Sequence, residues 1–198
     1  GSAGNWLLDP YNVTIGTATS PIGFSPTSPG DTWAPSANST INATTIAGEL
    51  KNGTNVTVTT GAGGPQGGDI SVQASITPAI VSGKAPTLEL NAAGNITIAS
   101  NITATGTPAN FTVELVAGGT IAESGGAITA GWLITQSGSG TTLSGANAVN
   151  KFIATNTATG TTTFNNLGAL GLLANDTGLG GGGGLTVTNT GAITVSSG

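Results

Sequence analysis

The sequence predicts an all-β fold in which short parallel strands stack into a solenoid, a parallel β-helix. Apolar and polar residues alternate in the stretches 87–92 and 112–117, and a two-residue period is that of a strand with one buried face. The second stretch repeats the first, because Leu88 and Val113 are 25 residues apart. A repeat of about 24 residues is the length of a coil built from three strands of about five residues, each followed by a turn.

The repeat has a second half with its own signature. Each alternating stretch is followed by a glycine and, two positions later, by an isoleucine. These residues are Gly94 and Ile96 in the first copy, and Gly119 and Ile121 in the second. The whole pattern recurs twice more, with a longer glycine-rich insert in the earlier copy: Val56, Val58, Gly68 and Ile70, and then Leu185, Val187, Gly191 and Ile193. Leu185 lies 72 residues after Val113, close to three repeats, so we expect these two residues to hold the same position in the coil.

The chain divides into three regions on this pattern. Residues 1–16 end in the first predicted strand, since Val13 and Ile15 alternate with polar neighbours. Residues 17–50 are predicted to be an irregular, proline-rich N-terminal excursion, within which 40–50 fits either a pair of strands or a short helical turn. Residues 51–198 are predicted to form the coils. A two-sheet β-sandwich is the alternative fold, but it leaves the repeat unexplained.

The composition argues against several classes of function. Charged residues make up 6% of the chain, against about a quarter in typical soluble domains. The formal net charge of −5 argues against nucleic-acid binding, which needs clustered lysine and arginine. Without cysteine or histidine, we expect no disulfide framework, no metal site and no cofactor. No apolar run approaches the roughly 20 residues that span a bilayer, so we expect no membrane insertion.

Four stretches resemble the filamentous-haemagglutinin-like adhesins that Gram-negative bacteria export by two-partner secretion. They are WLLDPYNVTI (6–15), TLELNAAGNITI (87–98), TTLSGANAV (141–149) and GLTVTNTGAITV (184–195). The resemblance covers most of the chain except roughly 17–39. The Asn-Pro-Asn motifs typical of the family's secretion domain do not occur here, which indicates an internal segment of the stalk.

The resemblance carries expectations about architecture and setting. It implies a right-handed parallel β-helix, secretion to the bacterial cell surface, and a role in adhesion or biofilm formation. The implied partners are a host or neighbouring cell surface, with glycans as candidate ligands, and the outer-membrane transporter during secretion.

Two glutamates in adjacent repeats are candidates for a cation or glycan contact. Glu89 and Glu114 hold equivalent positions, and both point outward if their apolar neighbours point inward. Strand spacing would put their carboxylates about 5 Å apart, which overlaps the separation in retaining glycosidases. No histidine or arginine is present to assist, and like charges are common on solvated faces. We therefore expect a structural pair, without catalytic or metal-binding residues.

Aromatic side chains are the other candidate ligand contacts. Trp33, Phe24 and Tyr11 are predicted to contact a ligand, Trp33 above all, because it lies in the excursion and loops more often carry function. Trp6 and Trp132 are further candidates for stacking on sugar rings. The alternative for these aromatic residues is that they cap the solenoid or pin the excursion against it.

Repeated threonines suggest ice binding, which needs regular Thr-x-Thr ladders on a flat face. The pairs Thr57/Thr59 and Thr186/Thr188 fit such a ladder. Glu89 and Glu114 are expected at the equivalent outward positions in the coils between, which argues against this function.

The sequence as a whole predicts an extracellular structural or adhesive segment of a large bacterial surface exoprotein, and not an enzyme. Loops that leave the coils, chiefly 17–39, are the expected contacts with cells, surfaces or glycans. A carbohydrate-active β-helix and a passive spacer with no ligand of its own are the alternatives.

Overall fold

The chain forms a parallel β-solenoid of about seven turns of roughly 23 residues, with very little helix. A computed structural model describes residues 12–18, 32–33, 38–61, 66–173, 178–179 and 183–196, with the backbone alone at 32–33 and 178–179. Within those ranges all strands of the solenoid pair in parallel. The predicted fold class is therefore confirmed, and the sandwich, which requires antiparallel hairpins, is excluded.

The strands line two faces of the solenoid. Sheet A contains, in stacking order, β3 (Ser39–Asn42), β1 (Val13–Gly16), β5 (Ile70–Val72), β8 (Ile96–Ile98), β12 (Ile121–Glu123), the first part of β14 (Thr141–Asn156), β15 (Thr162–Asn166) and β18 (Leu185–Asn189). Sheet B contains β2 (Thr32–Trp33), β4 (Val56–Thr59), β7 (Thr87–Ala92), β11 (Thr112–Ala117), β13 (Ile128–Ser137), the second part of β14, β16 (Leu170–Leu173) with β17 (Gly178–Leu179), and β19 (Ile193–Ser196). The remaining elements are β9 (Ile102–Thr103), which pairs with the start of β13, the paired β6 (Ala79–Ile80) and β10 (Thr105–Gly106), the helix α1 (Ala43–Lys51), and a 3-10 turn at Pro108–Asn110.

Stacking order and chain order differ at the first coils. Val13 of β1 pairs with Ser39 of β3 on one side and with Ile70 of β5 on the other. The strand β3 therefore lies outside β1 in the stack, although it follows β1 in the chain. Residues 39–51 form this strand and the helix that follows it, and all of them except Lys51 fall within the predicted excursion 17–50.

The helix α1 adds an apolar face to the core at the end of the stack where β3 lies. Its buried residues Ala43, Ile46 and Leu50 recur at helical spacing, and Ile46 and Leu50 are fully buried. Asn42 caps the first turn, since its side-chain oxygen accepts a hydrogen bond from the Thr44 N–H at 2.8 Å. The segment 40–50, for which the sequence allowed either element, thus contains a short strand and a nine-residue helix.

The core is built from side chains that stack coil upon coil. Alternate residues of each strand point inward, where the buried aliphatic and aromatic residues form one cluster. Phe152 and Phe164 stack in that cluster with ring centroids 4.2 Å apart. At β19 the exposure rises, and Val195 is 63% exposed although it pairs with Leu172.

The predicted repeat is confirmed for three coils and wrong for the last copy. Val56 pairs with Leu88, which pairs with Val113, as the sequence predicts. Leu185, however, pairs with Thr162 in sheet A, in the column of Ile121 and not of Val113. The physical reason is that the coils after β11 shorten, so that partners lie about 20 residues apart, as Ile121 and Thr141 do. A count of 72 residues therefore ends on the other face.

A ladder of side chains at the corner before sheet A ties successive coils together. Asn12 accepts a hydrogen bond from the Asp69 N–H at 2.8 Å, and Asp69 accepts one from the Asn95 N–H at 2.7 Å. Asn95 in turn accepts from the Thr120 N–H at 2.8 Å, and Asn38 extends the ladder by accepting from the Asn12 N–H at 3.0 Å. Each rung satisfies a backbone donor of the next coil, so the corner fixes the stacking of sheet A.

Candidate functional site on the outer face of sheet B

The outer face of sheet B gathers carboxylates, an amide and an aromatic ring on neighbouring strands. Glu89 of β7 lies between the fully buried Leu88 and Leu90, so its side chain points outward. The register pairs Glu89 with Glu114 of β11, which confirms that the two hold equivalent positions. Strand spacing is about 4.8 Å, so the two carboxylates project side by side from the sheet.

Glu89 is held by its neighbours on both oxygens. The Thr57 hydroxyl donates a hydrogen bond to Oε2 at 3.1 Å, and the Asn91 amide donates one to Oε1 at 3.2 Å. Thr57 belongs to the preceding coil and Asn91 to the same strand, so the carboxylate is oriented from two directions.

Glu114 has a different environment. Partial burial, and next the negative charge of Glu89, raise the pKa of the Glu114 carboxyl above its usual range. Within the described part of the chain its side chain has no hydrogen-bond partner, in contrast to Glu89. The pair therefore consists of one oriented carboxylate and one whose charge the protein disfavours.

Trp132 adds an aromatic surface to the same face. It lies on β13, where it pairs with Thr112 on one side and with Lys151 of β14 on the other. The Lys151 ammonium lies 4.2 Å from the centroid of a Trp132 ring. Such a contact at an exposed site contributes about 0.5–1 kcal/mol, so a ligand could displace the lysine at small cost. Trp132 sits on the side of the solenoid, so the predicted alternative of an end cap does not describe it.

This arrangement can recognise a polar ring. Carboxylate oxygens accept hydrogen bonds from hydroxyl groups, the Asn91 amide offers both a donor and an acceptor, and the indole offers a face for stacking. Throughout the described ranges no three His, Cys, Asp or Glu residues are grouped so that they could hold a metal ion.

The predicted aromatic contacts fall largely outside the described residues. Tyr11 and Phe24 both lie outside them. The backbone of Trp33 belongs to β2 and pairs with Val58 of β4, which places it in sheet B, two strands before Glu89.

A second acidic position, Glu123 at the end of β12, was not predicted from the sequence. The Gly145 N–H and the Asn147 amide both donate hydrogen bonds to its Oε2, the latter at 3.2 Å. Its Oε1 is buried without a hydrogen-bond partner among the described residues. Burial raises the pKa of Glu123, and the hydrogen bonds from Gly145 and Asn147 oppose that shift in part. A side chain at Gly145 would start 2.8 Å from this carboxylate, so the glycine permits the approach.

No signal in the sequence marks this contact. The strand β14 changes register between Leu143 and Asn147, and that irregularity brings Gly145 to Glu123. A bulge of this kind depends on the pairing of the strand and not on a local motif.

Comparison with known proteins gives the chain no relative. No family model matches it, and no curated protein or solved structure matches it significantly. In the ranges that the structure covers, no helix is long and apolar enough to cross a bilayer.

Proposed function

We propose that the chain is an extracellular structural and adhesive segment of a large bacterial surface exoprotein, similar to the stalk of filamentous-haemagglutinin-like adhesins. The four motifs of the sequence support this proposal, and the β-solenoid fold is compatible with it. On this proposal the chain is exported through an outer-membrane transporter and acts at the cell surface, without catalysis.

The adhesive part of the proposal rests on one observation: charged and aromatic side chains are distributed unequally between the outer faces of the two sheets. The outward positions of sheet B hold Glu89, Glu114, Trp132 and Lys151 on four neighbouring coils. In the described strands of sheet A the outward positions carry no charged or aromatic side chain. A face so differentiated suits a contact surface for a glycan or a cell-surface polymer.

The solenoid would supply the reach that such a contact needs. Its core is continuous from Val13 to Leu170, and Leu185 and Val187 pack against it. About seven turns at about 4.8 Å per coil extend a face over roughly 30 Å. Each coil contacts chiefly its neighbours, so a stack of this kind can be lengthened without a change of fold.

A passive spacer is the second candidate, and the contact between Lys151 and Trp132 favours it. The ammonium lies over the ring that would have to receive a sugar, and Glu89 already accepts hydrogen bonds from Thr57 and Asn91. The Trp132 ring and the Glu89 carboxylate thus have partners within the chain, without a ligand.

Binding of the purified chain to a glycan array and to whole bacterial and animal cells tests these alternatives. The informative variants are Trp132→Ala and the double variant Glu89→Gln with Glu114→Gln, and Thr142→Ala on sheet A is the matched control. We expect saturable binding that is lost in the sheet B variants and kept in the control. Binding that survives both sheet B variants contradicts the placement of the site, and no binding by the unmodified chain supports the spacer.

A further variant, with residues 19–31 replaced by a short Gly-Ser linker, tests the predicted excursion. Binding lost only in this variant would locate the contact at the excursion, as the sequence predicted for Phe24. Circular dichroism of each variant must match that of the unmodified chain before binding is compared.

A further inference from the structure

The outer face of sheet A carries a column of hydroxyl groups that is interrupted once, at Ala122. At the central outward position of each strand, seven of eight residues are threonine or serine. In stacking order they are Thr40, Thr14, Ser71, Thr97, Ala122, Thr142, Thr163 and Thr186, and we call them the hydroxyl column. These positions face outward because the flanking residues of the strands point into the core, as Ile96 and Ile98 do around Thr97.

The sequence did not predict this column, because the last repeat was assigned to the wrong face. Thr186 was expected to continue the face of Thr57, where Glu89 and Glu114 interrupt any ladder. The structure instead pairs Thr186 with Thr163 in sheet A, on a different face from both glutamates. Glu89 and Glu114 therefore do not interrupt this column. Most of its strands contribute a single hydroxyl residue, and only β18 carries a Thr-x-Thr pair, Thr186 and Thr188.

The protein leaves these hydroxyl groups free for an external partner. Across the described residues none of the seven makes a side-chain hydrogen bond. Threonines elsewhere behave differently: the hydroxyl of Thr57 donates to Glu89, that of Thr60 to the Gly68 carbonyl, and that of Thr120 to Asn95.

The outward side chains on the strands of the column are uncharged. Outward neighbours along the same strands are Ser144 on β14, Asn165 on β15 and Thr188 on β18. The one acidic residue in the described strands of sheet A, Glu123, is at an inward register position opposite Ile98 and accepts hydrogen bonds from Gly145 and Asn147. The carboxylate of Asp69 lies beside the column in the corner ladder, where it accepts hydrogen bonds from the Asn95 N–H and side-chain amide. The described strands themselves offer a free sugar or peptide neither a charge nor an aromatic ring on this face.

Parallel strand pairing sets the spacing of the column, and the corner ladder supports it from Thr14 to Ala122. Parallel strands lie about 4.7–4.9 Å apart, and the corner ladder of Asn12, Asp69, Asn95 and Thr120 holds consecutive coils in register directly beside the column. Each threonine presents one methyl and one hydroxyl, so the face alternates small apolar groups with groups that bind water. The strand spacing is close to the shortest repeat of the lattice of ordinary ice.

From these observations we propose that the hydroxyl column of sheet A binds the surface of ice. Waters held by successive hydroxyl groups lie near lattice positions, and the methyl groups order the water between them. The bound protein then pins the growing crystal surface. This function is separate from the adhesive contact of sheet B, which uses another face and other residues.

Thermal hysteresis and uptake of the fluorescently labelled protein into a growing ice hemisphere test the proposal. The variants are Thr97→Lys and Thr163→Lys, which place a long charged side chain in the column, with Thr155→Lys on the outer face of sheet B as the matched control. We expect the unmodified chain and the control to enter ice and to lower the freezing point below the melting point, and both column variants to lose these effects. Two positions are used so that a folding defect in one variant, detected by circular dichroism, leaves the other.

The proposal is overturned if the unmodified chain is excluded from ice and shows no hysteresis, or if folded column variants keep full activity. An equal loss in the folded Thr155→Lys control also contradicts it, since the effect would not belong to sheet A. Glycan and cell binding, measured on the same variants, should be unchanged by Thr97→Lys and Thr163→Lys, so the ice-binding and adhesive proposals can fail independently.

Discussion

Glu89 and Glu114 are direct partners on neighbouring strands, yet other side chains hold only one of the two carboxylates. Thr57 and Asn91 donate hydrogen bonds to Glu89, whereas Glu114 is partly desolvated and faces the charge of Glu89. The repeat thus places two identical residues in register, and their neighbours make them chemically different.

This asymmetry predicts that Glu114→Gln stabilises the fold at neutral pH. The raised pKa means that the folded chain binds this proton more tightly than the unfolded chain does, so the stability is greatest at acid pH and decreases as the pH rises through the raised pKa. The gain should stay below about 1 kcal/mol, because solvent screens a partly exposed charge. Urea unfolding at pH 4, 6 and 8 measures it, and the variant should show a flatter dependence on pH.

Glu49→Gln, on α1 and not on a strand of sheet B, is the control for that experiment. A Glu114→Gln variant that is less stable than the unmodified chain at pH 8 would contradict the interpretation, since it would show that the charged form is favoured.

Stability also depends on the protonation of Glu123, and here the loss of hydrogen bonds should have a larger effect than the charge. Glu123→Ala removes the acceptor of the Gly145 N–H and of one Asn147 bond, and an unsatisfied buried donor costs about 1–3 kcal/mol. Glu123→Gln keeps an acceptor without the charge, so it should be tolerated better than alanine. Its stability relative to the unmodified chain should improve as the pH rises from 4 to 8, because burial raises the pKa of the native carboxyl.

Equilibrium unfolding of both Glu123 variants across that pH range gives the comparison. If alanine and glutamine at this position are equally destabilising at every pH, the hydrogen bonds to Glu123 do not stabilise the turn at Gly145.

These polar contacts mark the limit of what the sequence could predict. The alternation of Leu88 and Leu90 specifies a strand, and its recurrence at Val113 specifies the stacking, because both follow from the two-residue period of a strand. The contact of Glu123 with Gly145 depends on an irregularity in β14 that no local pattern announces.

Coil length was the other obstacle to prediction. The alternating pattern of a strand is the same on either sheet. A change in coil length therefore moves a strand such as β18 to the other face without any change in its own residues. The error at Leu185 and the missed hydroxyl column have this common cause. The helix α1 was ambiguous for a separate reason, since three apolar residues, Ile41, Ile46 and Leu50, are too few to separate a helical from a strand period.

The buried side-chain amide of Asn166 links neighbouring coils by hydrogen bonds, so its removal should lower the stability strongly. This fully buried side chain accepts a hydrogen bond from the Val149 N–H at 2.9 Å and donates to the Val149 carbonyl at 3.3 Å and to Asn189 at 3.1 Å. Asn166→Ala leaves the Val149 N–H without its acceptor, so we expect a loss of about 1–3 kcal/mol. Asn165→Ala, one residue earlier on the outward side, is the control and should cost less. Chemical denaturation compares the two, and a larger loss at Asn165 would refute the assignment.

The stacked rings of Phe152 and Phe164 predict where the apolar core is most sensitive. Both side chains are fully buried, and their centroids lie 4.2 Å apart. Phe152→Ala removes this stacking and opens a cavity, so the free energy of unfolding should fall by about 3–5 kcal/mol. Val195→Ala is the matched control: its side chain is 63% exposed, and we expect a change within about 0.5 kcal/mol. Thermal and urea unfolding of both variants measure the difference. A loss at Val195 comparable to that at Phe152 would mean that the last described coil is as well packed in solution as the middle of the solenoid.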